Sequence, residues 1–173
     1  MSQAWASNRK KGLITFFCAS IAVLILAQAS SFLVETRIEQ GHSLRIFSWL
    51  HFTHIRNMGG IFGILQGKGW LFTTMSLIVL MGLMWFVARI QGMRMFEYAC
   101  YGMIVGGGMS NILDRLIYGS VVDFIDVRGI AYWKYIFNTA DVMIHLGIWP
   151  LVLFSILEAR RQNVAKIKVS AES

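Results

Sequence analysis

The sequence predicts an all-α membrane protein: a four-transmembrane-helix bundle with a small β-sheet segment on its outer face. Three observations lead there. The 173 residues are 56% hydrophobic and only 14% charged, with a mean hydropathy of +0.58, outside the balance of a soluble domain. Four apolar runs are each long enough to cross about 30 Å of hydrocarbon as a helix. Basic residues collect beside the ends of those runs, as orientation signals do. The net charge of +7 does not point to nucleic acid, because no basic run is interleaved with exposed aromatics. The whole chain, 1–173, reads as one integral membrane domain.

The first span is expected over 13–34, behind Arg9, Lys10 and Lys11. A cleaved signal peptide competes for this stretch, but the run is too long for an h-region and no small-residue cleavage site follows it. The outer segment after it is no simple loop. Leu44 to Ile55 is aromatic and branched, and Phe47, Trp49, His51, Thr53 and Ile55 line one side with a period of two, which predicts a small sheet near the membrane surface. Gly59, Gly60 and Gly63 break regular structure around Phe62, and Gly67 and Gly69 mark the entry to the second span, 71–88. The third and fourth spans are expected over 95–113 and 136–157. Arg89 and Arg94 lie between spans two and three, and Arg160, Arg161, Lys166 and Lys168 follow span four. These flanks fall on the same side as the N-terminal cluster, so both termini are predicted to face the cytoplasm. Cys18 and Cys100 sit inside apolar runs and read as small buried hydrophobes.

All four aspartates, Asp114, Asp123, Asp126 and Asp141, fall between Gly106 and Asp141 in strongly apolar surroundings. A charge near a hydrocarbon-spanning segment costs a few kcal/mol, about 2.5 to 3.5 at a helix centre, so it reads as functional by default. Helical spacing puts Asn111 with Asp114 and Arg115 at the outer end of span three, and Asn138, Asp141 and His145 on one face of span four. Val121 to Val127 reads as a short extended segment in which Asp123 and Asp126 point to opposite sides. Two carboxylates brought together in a poorly solvated site do not both ionise, so such a pair supplies a general base and a general acid for splitting an amide with water.

The competing readings are structural. Asp114 beside Arg115 and Asp126 near Arg128 fit ordinary ion pairs, whereas Asp141 has no basic residue within one turn. His145 four residues after Asp141 supplies only two metal ligands, and His42, His51 and His54 lack a ligand spacing. Gly106, Gly107 and Gly108 lie mid-span, where glycines permit close helix contact. Outer-edge aspartates also fit an ion path, which makes a small transporter or channel subunit the third functional class.

Four motifs in order carry a resemblance: Arg56-Asn57-Met58-Gly59-Gly60-Ile61-Phe62-Gly63; Gly107 to Asp114-Arg115; Gly119-Ser120-Val121-Val122-Asp123-Phe124-Ile125-Asp126; and Phe137-Asn138-Thr139-Ala140-Asp141 with Ile144 and Gly147. From about residue 13 to 157 the chain resembles the lipoprotein signal peptidases (signal peptidase II). The resemblance implies an aspartic endopeptidase of the bacterial inner membrane that removes signal peptides from prolipoproteins, cutting before a diacylglyceryl-modified cysteine. It implies Asp123 and Asp141 as the catalytic pair, Asn57, Gly59, Asn111 and Arg115 on the substrate, and Asp114 and Asn138 in support. No cofactor or metal is expected, the partners are lipid-modified prolipoproteins and membrane lipids, and a monomer is expected. The alternative is a degenerate relative that binds lipoproteins without cleaving them. The chain departs from the family near the outer end of span one, where Asp-Gln followed by Thr-Lys is usual and this sequence reads Ala27-Gln28-Ala29-Ser30-Ser31.

Overall fold

A computed structural model describes residues 3–60 and 65–172. The element order is α1 (Gln3–Arg37), β1 (Ser43–Arg45), β2 (Leu50–Asn57), α2 (Gly69–Arg89), α3 (Met95–Tyr118), β3 (Val121–Val127), β4 (Ile136–Phe137) and α4 (Thr139–Glu172). Among the described residues, three helical stretches are long and apolar enough to cross a membrane: Ser7–Arg37, Gly69–Arg89 and Thr139–Val164. Their outward faces are apolar, with Ile14, Phe17, Ile21 and Ile25 exposed along α1 and Ile78, Val79 and Trp85 along α2. Such faces suit hydrocarbon and not water.

Helix α3, which carries the third predicted run, is not among the three. At 24 residues it is about 36 Å long, enough to span, but Glu97, three glycines in a row, Ser110, Asn111, Asp114 and Arg115 dilute its apolarity. Packing explains why it tolerates them. It lies against α1, α2 and α4, so much of its surface meets protein, where polar groups can be paired. The fourth run also begins later than expected: Ile136 and Phe137 are strand, and the helix starts at Thr139.

The glycines make that central position possible. A Cβ at Gly106 would meet Val23 at 3.0 Å, one at Gly107 would meet the Ala140 carbonyl at 2.7 Å, and one at Gly108 would meet Leu80 at 2.9 Å. Consecutive residues thus face α1, α4 and α2 in turn. Small residues on α1 answer them, with Ser20, Ala27 and Ser31 buried between Phe16, Val23 and Val34. Phe16, Leu80, Val87, Tyr98, Val105 and Ile112 form the main core. Cys100 is buried as expected, but Cys18 is exposed on α1.

Helix α3 ends at Gly119, whose left-handed backbone (φ 73°) places its N–H on the Arg115 carbonyl, a stop that glycine adopts without strain. The chain turns there into β3, the predicted extended segment over Val121–Val127. The sheet order is β1-β2-β3-β4, each neighbouring pair antiparallel. The loose alternation expected over Leu44 to Ile55 is interrupted in two places. Phe47 and Trp49 lie in the turn between β1 and β2, and the pairing of β2 with β3 shifts between Phe52 and Ile55. That bulge re-aims the strand, so that Ile55 opposes Asp123 and Asn57 opposes Val121.

Glu35, His54 and Arg56 bind the end of α1 to the sheet. His54 Nδ1 lies 2.6 Å from the Ile38 carbonyl, and its Nε2 lies 3.1 Å from Glu35 Oε2, outside hydrogen-bond geometry. Arg56 pairs with Glu35 and stacks over Tyr118 at 4.5 Å. Val34, Val122 and Phe124 pack beneath them.

The close approach of Gly107 to α4 has a measurable cost. Gly107→Val forces α4 away from α3 and is expected to destabilise by about 1 to 3 kcal/mol, as overpacking does. Gly82→Ala, where an added Cβ meets nothing, should be neutral or slightly stabilising through helix propensity. Thermal unfolding in detergent reads both, and equal midpoints for Gly107→Val and the parent would contradict this packing.

Candidate active site

Asn138 lies at the entry to α4. Its side-chain Oδ1 accepts the Asp141 N–H at 3.0 Å, and the Asp141 carboxylate accepts the Asn138 N–H at 3.3 Å. This reciprocal pair is a capping box built from Asn and Asp, and it satisfies two backbone donors that a helix start leaves open. The motif Asn138-Thr139-Ala140-Asp141 therefore starts the helix and fixes the Asp141 carboxylate in one operation.

The other end of the Asn138 amide reaches out of the helix. Its Nδ2 donates to Asp123 Oδ1 at 2.8 Å and to Asn111 Oδ1 at 3.1 Å. Asn111 Nδ2 in turn donates to Asp141 Oδ1 at 2.9 Å. Asn57 Nδ2, at the end of β2, donates to Asp123 Oδ2 at 3.0 Å and to the Gly60 carbonyl at 3.2 Å, while Asn57 Oδ1 accepts the Gly59 N–H at 3.0 Å. Three asparagines from β2, α3 and the start of α4 thus join the two carboxylates into one network.

Arg115 is the nearby cation, but its hydrogen bonds go to carbonyls: the Asn111 oxygen at 3.1 Å and the Gly59 oxygen at 3.0 Å. It clamps the Gly59 loop to α3, and its Nε is buried without a partner among the described residues. Asp123 is 2% exposed. Burial first, and then the charge of Asp141, push its carboxyl up to about 7, against the lowering effect of the Asn57 and Asn138 donors and of Arg115. A carboxyl tuned to neutrality beside a second carboxyl meets the requirement of acid–base chemistry at physiological pH.

The remaining acidic residues separate from this centre. Asp126 takes hydrogen bonds from Thr53 at 2.8 Å and from Arg128 at 2.8 Å. Burial raises its carboxyl, but the Arg128 and Thr53 hydrogen bonds outweigh this and hold it below the ordinary carboxylate value, so the ion-pair reading suits it. Asp114 is not paired with Arg115. It is 1% exposed and turned toward α1, where Gln28 Nε2 donates at 2.7 Å and Ser31 Oγ at 3.3 Å, while its Oδ2 accepts the Val122 N–H at 3.1 Å. Adjacent residues on a helix diverge by about 100°, which is why the sequence neighbours part company. His145 Nδ1 contacts the Asp141 backbone carbonyl at 2.8 Å, not its carboxylate, and among the described residues no three His, Cys, Asp or Glu side chains gather as a metal set would.

The structure brings Asp123, Asp141, Asn57, Gly59, Asn111, Arg115 and Asn138 into one cluster. Ile61, Phe62 and Gly63 of the same motif lie outside the described residues. Sequence reasoning passed over Gln28 and Ser30 as ligating groups. Their signal was available as uncharged polar side chains near the end of an otherwise apolar run.

Comparison with known proteins gives a consistent family. The signal peptidase (SPase) II profile matches residues 19–157. The chain is similar to the lipoprotein signal peptidase of Halalkalibacterium halodurans, 33% identical with 87% of this chain and 97% of that one covered. It is similar to that of Fusobacterium nucleatum, 32% identical over 83% and 87%, and to that of Anoxybacillus flavithermus, 28% identical over 88% and 92%. A solved bacterial membrane enzyme superposes with a TM-score of 0.75 at 30% identity, covering 83% of this chain and 88% of that one.

Proposed function

The chain belongs to the signal peptidase II family, and from that premise we propose that it is an aspartic endopeptidase removing signal peptides from diacylglyceryl-modified prolipoproteins. The observation that carries the reading is the joining of Asp123 and Asp141 through Asn138, which bonds to both, with Asn111 bridging Asn138 and Asp141. The pair holds one proton. The ionised carboxylate takes a proton from a water molecule as its oxygen attacks the scissile carbonyl, and the protonated carboxyl donates to the carbonyl oxygen. The tetrahedral species collapses with a proton passed to the leaving amine of the lipidated cysteine. The two carboxyls titrate as a pair, so the roles belong to the dyad.

Asn57, Gly59, Asn111 and Arg115 hold substrate around this centre. Among the described residues Arg115 carries an unpaired buried N–H, and the Gly59 loop it anchors offers backbone to an extended peptide, as sheet edges do. Asp114 and Asn138 support from behind. The protein sits in the bacterial inner membrane as a monomeric single domain, with α3 as the fourth span and the sheet at the outer surface among lipid headgroups. Both termini face the cytoplasm, because Arg9, Lys10, Lys11, Arg89, Arg94, Arg160 and Arg161 all gather at the helix ends away from the sheet. The absence of charge at Ala27 and Ser31 favours a second reading, a degenerate relative that captures lipoproteins without cutting them.

Purified protein incubated with a lipidated prolipoprotein separates the two. Asp123→Asn and Asp141→Asn should each abolish cleavage with the protein still folded, and Asp126→Asn should change the rate little. A parent that binds substrate without cleaving it would establish the degenerate reading, and cleavage persisting in either dyad variant would sink the aspartic mechanism. Orientation is checked separately with an impermeant thiol reagent on spheroplasts, in a background lacking Cys18 and Cys100. Ser43→Cys and Tyr132→Cys should label while Asn163→Cys does not, and the reverse pattern would invert the topology.

A further inference from the structure

Near its sheet end, α1 carries Gln28, Ser30 and Ser31, and each reaches an element of the site. Gln28 Nε2 lies 2.7 Å from Asp114 Oδ1, 3.0 Å from Ser110 Oγ and 3.1 Å from the Ser110 carbonyl. Ser31 Oγ donates to Asp114 Oδ2 at 3.3 Å. That same oxygen accepts the N–H of Val122 at 3.1 Å, the residue immediately before Asp123. Ser30 goes the other way: its hydroxyl donates to Thr139 Oγ1 at 2.8 Å, with the Ala27 carbonyl also within reach at 2.8 Å. Thr139 is two residues before Asp141 and follows the cap residue Asn138.

The chemistry of the contacts sets what they can do. Asp114 is almost fully buried, and its hydrogen-bond partners are all uncharged: an amide, a hydroxyl and a backbone N–H. A buried carboxyl held by several directional donors has one orientation, and losing a donor leaves a polar atom unpaired. It therefore passes the position of α1 to the backbone of β3 at Val122. The hydroxyl contact at Thr139 passes the same reference to the first turn of α4. Asp123 and Asp141 sit on different elements, and α1 bonds to both supports through side chains that stay outside the dyad network. Ser31 is 3% exposed, which removes it from contact with substrate.

We propose that Gln28, Ser30 and Ser31 form a neutral clamp that sets the separation of the strand carrying Asp123 from the helix carrying Asp141, making them positioning residues for the dyad. This rests on the peptidase reading above. The clamp acts on geometry at the reacting atoms and not on peptide capture, so its loss falls on kcat and spares KM. Misplacement by about 1 Å costs up to about a hundred-fold in rate.

The test uses the full-length protein in detergent with a lipidated prolipoprotein. Gln28→Leu and Ser30→Ala should each lower kcat by about ten-fold or more with KM within about two-fold, and Ser30→Thr, which keeps the hydroxyl, should restore most of it. Ser30→Ala and Thr139→Val should not be additive, because each removes the same bond. Thermal midpoints are taken in parallel, and Ser31→Ala supplies a milder variant should Gln28→Leu fail to fold. An unchanged kcat, or a loss that only tracks the unfolded fraction, overturns the proposal. An activity-independent readout keeps the failure of the clamp distinct from failure of the peptidase reading. Infrared titration of Asp123 should show its proton lost at lower pH in Gln28→Leu than in the parent, since a looser site admits water and moves Asp141 away. An identical titration in parent and variant contradicts the clamp even in a chain that cleaves nothing.

Discussion

Two carboxylates in one poorly solvated junction repel each other and resist ionising together, and the rest of this structure is arranged to keep them there. The usual remedy, a cation in direct contact, is not the one used among the described residues. Arg115 spends its guanidinium on two backbone carbonyls, and the dyad is held by three neutral asparagines. Amide donors orient a carboxylate without neutralising it, which in the proposed mechanism leaves one proton in play between the pair. A cation bonded to either carboxylate would favour full ionisation and remove the acid from the site.

Such a junction has to be placed where membrane helices end and backbone can be satisfied by a sheet. Helix α3 makes this possible by lying among the others, where its polar end is screened from lipid. The glycines let three helices approach it closely, and Gly119 then turns the chain directly into the strand that carries Asp123. The Asn–Asp capping box does the corresponding work for α4, because a helix start must satisfy its open N–H groups and here the residues that do so are also site residues.

Much of this was legible in local patterns. Alternation in Val121–Val127 separated Asp123 from Asp126, and the strand formed over those residues. The spacing of Asn138 and Asp141 placed both at one helix start. What was not legible depended on partners far along the chain. Asp114 looked like the mate of Arg115, its neighbour, but its ligands are Gln28 and Ser31, more than eighty residues away. The Glu35, His54 and Arg56 cluster has the same character, as no spacing in the sequence announces it. The bulge between Phe52 and Ile55 was hidden because a period-of-two pattern continues in the letters after the backbone has shifted register. The departure at Ala27 and Ser31 also changes meaning. Ser31 faces Asp114, so a longer cation at that position would be directed at α3.

In the proposed mechanism the dyad holds a single proton near neutrality, and burial, then the charge of Asp141, push the Asp123 carboxyl up to about 7. Infrared difference spectroscopy of the protonated-carboxyl stretch across pH tests it without substrate. The expected signal is present below about pH 7, lost as pH rises through that value, and missing from Asp123→Asn. Loss of that signal at the ordinary carboxylate value, with both carboxyls ionised throughout the neutral range, would contradict it.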